Sequence, residues 1–132
     1  MRFLLDTNAV VSVLRLNTIF LDRLRMYQPS DLGIPTPVWH ELCFGAYRSR
    51  RVEHHLADLQ ALRIQTVEFD SEDARCAGEI RAALAAAGSP IGPYDVLVAA
   101  QAVARDLTLI THNVREFARV DGLKIEDWET TT

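Results

Sequence analysis

The sequence alternates short apolar runs with longer segments of helical periodicity, and this feature most constrains its fold. Arg2–Leu5 and Leu107–Thr111 are mostly apolar and too short for helices, as expected for strands in a buried sheet. The segment from Thr36 to Tyr47 instead repeats apolar residues at intervals of three and four. Strands that alternate with helices form a mostly parallel sheet. The sequence therefore predicts an α/β fold, a short and mostly parallel sheet flanked by helices.

Apolar periodicity, capping residues and turn residues together set the predicted elements. The predicted strands are Arg2–Leu5, Leu32–Ile34, Thr66–Phe69, Leu107–Thr111 and Leu123–Ile125. The predicted helices are Ala9–Leu16, Thr18–Tyr27, Thr36–Tyr47, Val52–Leu62, a long alanine-rich helix ending near Ala87, Tyr94–Arg105 and the short turn Val114–Ala118.

Three boundaries have specific chemical signals. Thr36 is the predicted N-cap of its helix, with Pro37 at the first helical position. Asp70 or Ser71 caps the alanine-rich helix, and Gly88 is placed to close it.

Length and composition indicate one soluble domain over residues 1–132, with a loose end at residues 128–132. The 48% hydrophobic and 24% charged fractions are those of an ordinary globular protein. Two cysteines are too few for a disulfide framework, and no apolar run approaches the ~18 residues of a membrane span. We therefore expect a cytoplasmic protein with no membrane association.

The net charge of −4 argues at first against a polyanionic partner. The two halves differ, however, because residues 1–66 carry +2 and residues 67–132 carry −6. Thirteen of the fourteen basic residues are arginine, whose planar fork suits phosphate and carboxylate. Net charge alone therefore decides nothing about the partner.

Two polar residues follow predicted strands. Asp6 comes directly after the first strand, and Asn113 follows Leu107–Thr111 closely. In open α/β sheets, ligands bind outside the carboxyl ends of strands. Both residues also have a structural interpretation, since Asp6 is a good helix cap and Asn113 with Glu116 has the spacing of a capping box.

Two carboxylates lie near predicted helix starts. Glu41 occupies the i+3 position beside an apolar stripe that includes Val38 and Leu42, so it is either at the edge of the stripe with its tip in water or held by a partner. Asp95 lies in the first turn of a very apolar helix, where the helix dipole alone favours an acid by ~0.3–1 kcal/mol.

All four positions can face the same edge of the sheet. Three carboxylates that converge there repel one another unless a cation holds them. Oxygen ligands without a clustered histidine and cysteine set favour Mg²⁺ or Mn²⁺ over zinc. Such an ion typically promotes attack on phosphate. The pattern therefore predicts catalytic residues at Asp6, Glu41, Asp95 and Asn113, of which Asp6, Asp95 and Glu41 are the expected metal ligands.

Other signals are weaker. The sequence contains no phosphate-binding GxxxxGK[ST] loop, no GxGxxG and no HExxH. His40 and Cys43 have the spacing of half a zinc site, but no second pair follows, so we expect ordinary packing. Three arginines cluster next to the helix of Glu41: Arg48, Arg50 and Arg51. They either lie in a solvated turn or contact a nucleic-acid backbone.

The chain resembles the PIN domain, and within it the VapC-like toxins of toxin–antitoxin pairs. The resemblance covers nearly the whole chain and includes the motif Ile91-Gly92-Pro93-Tyr94-Asp95-x-Leu97-x-Ala99-Ala100. Its specific parts are the Gly92-Pro93-Tyr94-Asp95 segment and the segment from Asn113 to Phe117. The other motifs are Leu5-Asp6-Thr7-Asn8, Glu41-Leu42-x-x-Gly45-Ala46, and Thr111-x-Asn113-x-Arg115-Glu116-Phe117 followed by Gly122-Leu123.

This resemblance implies the PIN-domain fold and a Mg²⁺- or Mn²⁺-dependent endoribonuclease. It also implies a cognate antitoxin that covers the active site, a homodimer, and an RNA substrate for which transfer RNA is a candidate. By position, Asp6 and Asp95 are the principal metal ligands and Glu41 is the third acid. Asn113 stands where many relatives have a fourth acid, which puts a two-metal site in doubt.

The resemblance also extends to supporting positions. Thr7, Asn8 and Thr111 are expected to support the site, with Asn113 and either Thr7 or Thr111 orienting water or the ion. His112 and Asp121 stand where relatives often have Asn and Pro, and we expect neither to matter for the chemistry.

Three alternatives remain open from sequence. The first is a PIN-fold nuclease that processes RNA or DNA outside a toxin system. The second is a phosphoacceptor signalling domain, which needs an acidic pair after its first strand and a lysine after a late strand. The third is a degenerate binding module, against which the intact set of three acids argues.

Overall fold

The structure is a computed structural model that describes residues 1–130; Thr131 and Thr132 lie outside the described residues. Its strands are β1 (Phe3–Leu5), β2 (Leu32–Pro35), β3 (Gln65–Val67), β4 (Thr108–Ile110) and β5 (Lys124–Glu126). Its helices are α1 (Thr7–Leu14), α2 (Thr18–Leu24), α3 (Thr36–Arg48), α4 (Val52–Ala61), α5 (Ser71–Ala86), α6 (Pro93–Ala104) and α7 (Val114–Phe117). No helix within residues 1–130 is long and apolar enough to span a membrane.

The five strands form one parallel sheet in the order β3-β2-β1-β4-β5. Leu4 of β1 pairs with Gly33 on one side and with Leu109 on the other. β1 is buried throughout because helices cover both faces of a parallel sheet. The predicted α/β fold with a short parallel sheet is confirmed.

The connections change direction at β1, which makes its boundary with β4 the switch point of the sheet. The chain passes from β1 to β2 and β3 on one side, and later returns to β4 and β5 on the other. Ligands of open α/β sheets bind at such a point. The order also differs from the 2-1-3-4-5 order of flavodoxin-like signalling domains, which argues against the phosphoacceptor alternative.

The start of α3 differs from the sequence prediction. Pro35, not Thr36, is the N-cap residue, and Thr36 and Pro37 are the first two helical residues. The Thr36 hydroxyl instead accepts a hydrogen bond from the backbone N–H of Phe69 (3.2 Å). The Thr36 side chain therefore bonds a residue 33 positions later in the sequence instead of capping α3.

The predicted boundaries of α5 are confirmed. Asp70 is the N-cap and forms a capping box with Asp73, each side chain accepting from the other residue's backbone N–H at 2.9 Å. Gly88 follows the helix with a φ of +66°, which glycine adopts without strain. Arg105, the C-cap residue of α6, pairs with the buried carboxylate of Asp73 (2.8 Å) and so links the two helices.

The prediction that the chain becomes loose at Trp128 is wrong. Trp128 is completely buried and stacks on the ring of Tyr27, with ring centroids 5.3 Å apart. It also packs edge-on against Phe3 and lies beside Phe20. The segment after β5 closes the core between α2 and the sheet because one large aromatic ring fills that space. The residues after Thr130 lie outside the described part.

Candidate active site

Asp6 lies directly beyond the end of β1, at the switch point. Its backbone N–H donates to the carbonyl of Ile110 (3.0 Å), which continues the pairing with β4. The carboxylate is 6% exposed and does not cap α1. Its Oδ2 atom accepts instead from the Thr111 hydroxyl (2.8 Å) and the Asn8 amide (3.4 Å). Burial raises the pKa of Asp6 above its ordinary value, although the Thr111 hydrogen bond opposes this.

Asp95 is the third residue of α6, as the sequence predicts. Gly92 and Pro93 begin the helix, and a Cβ atom at Gly92 would lie 2.9 Å from Oδ2 of Asp95. Glycine at this position therefore lets the carboxylate fold back over the start of the helix. Burial, with added repulsion from Asp6 and Glu116, raises the pKa of Asp95 to about 7.

Glu41 faces the same site from α3. Its Oε2 atom accepts a hydrogen bond from the Thr7 hydroxyl (2.7 Å), at the start of α1. Of the two sequence interpretations, the structure supports a carboxylate held by a partner. The negative charge of Glu41 contributes to the raised pKa values of Asp6 and Asp95, so the three acids lie within electrostatic reach of one another.

Glu116 of α7 is a fourth acid in this cluster that the sequence analysis did not identify as a site residue. Its two carboxylate oxygens accept from the backbone N–H of Gly92 and the side-chain amide of Asn113, each at 2.8 Å. These hydrogen bonds lower the pKa of Glu116, with that from Gly92 contributing most. The charge of Glu116 also helps to raise the pKa of Asp95, so these two carboxyl groups lie within electrostatic reach of each other. Glu116 therefore supplies the fourth charge that the amide of Asn113 lacks.

The capping-box interpretation of Asn113 and Glu116 is wrong. Asn113 precedes α7 but makes no side-chain capping bond, and its backbone N–H donates to the Thr111 hydroxyl (3.0 Å). The Glu116 carboxylate accepts a hydrogen bond from the side-chain amide of Asn113 rather than from its backbone N–H.

We name the four acids Asp6, Glu41, Asp95 and Glu116 the acid cluster.

The acid cluster is suited to a cation. Within residues 1–130, none of its carboxylates forms an ion pair with a basic side chain. Burial and the repulsion of neighbouring acids raise the pKa values of Asp6 and Asp95, so a divalent cation beside these two groups would stabilise their charged forms. Oxygen ligands favour Mg²⁺ or Mn²⁺.

Other residues singled out in the sequence lie elsewhere. Arg48 is the last residue of α3, and Arg50 and Arg51 lie between α3 and α4. All three are exposed, and the Arg48 guanidinium lies over the Phe44 ring (5.2 Å). Their proposed contact with an RNA backbone stays a prediction. His40 is exposed beside Tyr94 and, within residues 1–130, belongs to no metal-binding group with Cys43.

A groove begins at the acid cluster and runs between α1, α3 and α4. It has a volume of about 450 Å³, and its polar lining includes Thr7 and Glu41 together with Arg15, His55 and Asp58. Its apolar lining includes Val11, Leu42 and Leu59. The groove therefore joins the carboxylates to an apolar surface.

We expect the stability of the metal-free protein to fall as pH rises from about 4 to 7. The pKa of Asp95 is raised in the folded state, so the folded protein binds more protons than the unfolded chain in this window. Melting temperatures in EDTA across this range test the prediction. Asp95→Asn is the control and should show a smaller decrease, which need not vanish because the pKa of Asp6 is also raised in the folded state. Identical pH profiles for the two proteins would contradict it.

Comparisons with known proteins agree with this architecture. The family model described as PIN domain matches residues 3–123. The chain is 35% identical to the tRNA(fMet)-specific endonuclease VapC of Salmonella typhimurium, over 97% of this chain and 98% of that protein. It is 29% identical to ribonuclease VapC2 of Rickettsia felis, over 98% and 99%.

Solved structures give the same result. The DNA-bound VapBC structure from Salmonella typhimurium superposes with a TM-score of 0.91 at 35% identity, covering 97% of this chain and 98% of that one. VapBC-1 from nontypeable Haemophilus influenzae gives a TM-score of 0.91 at 29% identity, covering 98% and 100%. The chain belongs to the PIN domain family. Within that family it is a VapC-like protein.

Proposed function

We propose that this chain is a metal-dependent endoribonuclease that acts as the toxin of a toxin–antitoxin pair. The observation that carries the proposal is the convergence of four carboxylates, which form no ion pair with a basic side chain within residues 1–130, at the switch point of a VapC-like fold. A relative named for its action on tRNA(fMet), at 35% identity, supports RNA as the substrate and transfer RNA as the first candidate.

Asp6, Asp95 and Glu41 would hold Mg²⁺ or Mn²⁺, with Glu116 as an additional acid. The chemistry that such an ion would supply there is polarisation of a phosphoryl oxygen and a lowered pKa for an attacking water molecule. The protein contributes a fixed arrangement of ligands. Thr111 and Asn8 both donate hydrogen bonds to Oδ2 of Asp6, and these bonds hold the orientation of its carboxylate.

Residues around the carboxylates hold their orientations. The Thr7 hydroxyl fixes one oxygen of Glu41, and the backbone N–H of Gly92 fixes one oxygen of Glu116. The Asn113 amide nitrogen is engaged by Glu116, so the carbonyl oxygen of that side chain is the part available to orient water. Asn113 is thereby a positioning residue in this proposal.

We further propose that a segment of the antitoxin occupies the groove between α1, α3 and α4. Glu41 of the acid cluster is among the residues that line the groove, so a segment lying in it would contact this carboxylate and Thr7. Related structures solved as VapBC complexes support an antitoxin partner. The homodimer and the cytoplasmic location stay predictions from the sequence.

The proposal is tested by RNA cleavage with the purified chain, freed from its antitoxin. We expect transfer RNA to be cleaved in Mg²⁺ or Mn²⁺, the cleavage to stop in EDTA, and excess Mg²⁺ to restore it. Sequencing of the RNA ends identifies the bond. Adding the antitoxin back should suppress cleavage. Cleavage that persists in EDTA would contradict the proposed metal dependence. Cleavage of DNA but not of RNA would contradict the proposed ribonuclease activity.

Expression in cells separates the toxin role from RNA or DNA processing. We expect induced synthesis of the chain to arrest growth, and the product of the adjacent antitoxin gene to relieve the arrest. A nuclease active in vitro that leaves growth unaffected would support the processing alternative instead.

A further inference from the structure

A second group of metal-ligating side chains lies outside the acid cluster. His112 follows β4, and Asp127 and Glu129 follow β5, so two adjacent parallel strands bring them to the same edge of the sheet. One ligand atom from each residue lies within 4.8 Å of the other two. Nδ1 of His112 is 3.0 Å from Oδ2 of Asp127 and 3.6 Å from Oε2 of Glu129.

The backbone and neighbouring side chains hold this group in place. The outer oxygen of each carboxylate has its own donor: Glu129 N–H bonds Oδ1 of Asp127 (2.9 Å), and the Ser12 hydroxyl bonds Oε1 of Glu129 (2.8 Å). The backbone N–H of His112 is held by Oδ1 of Asn8 (3.0 Å). Both remaining carboxylate oxygens therefore face the same imidazole nitrogen.

We propose that His112, Asp127 and Glu129 form a binding site for a first-row divalent transition ion, with Zn²⁺ as the preferred occupant among common ions. Bonds of about 2.0–2.2 Å place neighbouring ligand atoms around such an ion roughly 3.0–3.6 Å apart, which is the spacing that His112 makes with the two carboxylates. An imidazole ligand favours zinc over magnesium. The exposed side of His112 leaves room for water as a further ligand.

Such an ion would join distant parts of the chain. It would link the segment after β5 to the loop after β4, which also contains Thr111 and Asn113. Asn8 connects this loop to the acid cluster, because its amide nitrogen bonds Asp6 while its oxygen bonds the backbone of His112. The ion is expected to stabilise the fold independently of nuclease activity.

The test is Zn²⁺ titration of full-length protein in which Asp6→Asn and Asp95→Asn weaken competition from the acid cluster. Calorimetry should show one equivalent bound, and NMR should show a change at Nδ1 of His112 with that first equivalent. Zn²⁺ should also raise the melting temperature. Adding His112→Asn should weaken binding at least roughly tenfold and remove the thermal shift.

His54→Asn is the matched control, because His54 is another exposed histidine paired with a carboxylate, at 3.4 Å from Asp58. It should leave the first equivalent unchanged. Equal Zn²⁺ affinity with and without His112, or an unaffected His112 ring at one equivalent, would overturn the proposal. The three residues would then form ion pairs only.

Discussion

Replacing Asp6 with asparagine is expected to lower RNA cleavage by about 10³-fold or more while raising the melting temperature of the metal-free protein. A bound metal ion contributes several kcal/mol to a transition state of this kind, and its principal ligand here is a charged oxygen that an amide does not supply. The stability should change in the opposite direction because Asp6 is 6% exposed, surrounded by other acids, and not paired with a base in residues 1–130. Asparagine can still accept the hydrogen bond from Thr111.

A second buried aspartate provides the control for this experiment. Asp73 is 1% exposed, but its carboxylate pairs with Arg105 at 2.8 Å and lies in the capping box of α5. Asp73→Asn should therefore lower the melting temperature and leave cleavage by the folded protein unchanged. Cleavage rates with Mg²⁺ and thermal melts in EDTA measure both effects. Full activity of Asp6→Asn would remove Asp6 from the site.

The sequence located much of the acid cluster because position along an α/β fold carries geometric information. Asp6 follows a strand and Asp95 begins an apolar helix, and both ends meet at one edge of a parallel sheet. Glu41 was visible as a carboxylate beside an apolar stripe. In each case a local pattern was enough to indicate where the side chain would lie.

Glu116 was missed because its local pattern has a simpler explanation. Its spacing from Asn113 is that of a capping box, and nothing within four residues argues otherwise. The side chain is instead directed by the backbone N–H of Gly92, 24 residues earlier in the chain. The prediction that Thr36 caps α3 was wrong for a similar reason, since the Thr36 hydroxyl accepts a hydrogen bond from the backbone N–H of Phe69. Short-range capping patterns compete with long-range hydrogen bonds that a single sequence does not reveal.

The order of the strands in the sheet could not be predicted from the sequence either. Periodicity predicts that strands and helices alternate, but it does not say on which side of β1 each later strand is added. The end of the chain was misjudged because a lone tryptophan among polar residues has no periodic pattern. Its burial depends on a space between Phe3, Phe20 and Tyr27, which come from a strand, a helix and a loop far away in sequence.

Replacing Trp128 with alanine is expected to cost about 3–5 kcal/mol of folding free energy, because it empties a fully enclosed aromatic site. For a chain of this size the melting temperature should fall by roughly 10–20 °C. Trp128→Phe keeps most of the ring contacts but loses the hydrogen bond from Nε1 to Glu126 (3.0 Å), so its cost should be nearer 1–2 kcal/mol.

An exposed aromatic residue separates burial from aromatic content in this experiment. Phe44 is 58% exposed, so Phe44→Ala should change stability by no more than about 0.5 kcal/mol. Urea unfolding followed by circular dichroism measures all three variants without relying on tryptophan fluorescence. A Trp128→Ala protein as stable as Phe44→Ala would mean that the segment after β5 does not close the core. Asp127 and Glu129 are the residues on either side of Trp128 in the sequence, so the burial of Trp128 also helps to position these two proposed zinc ligands.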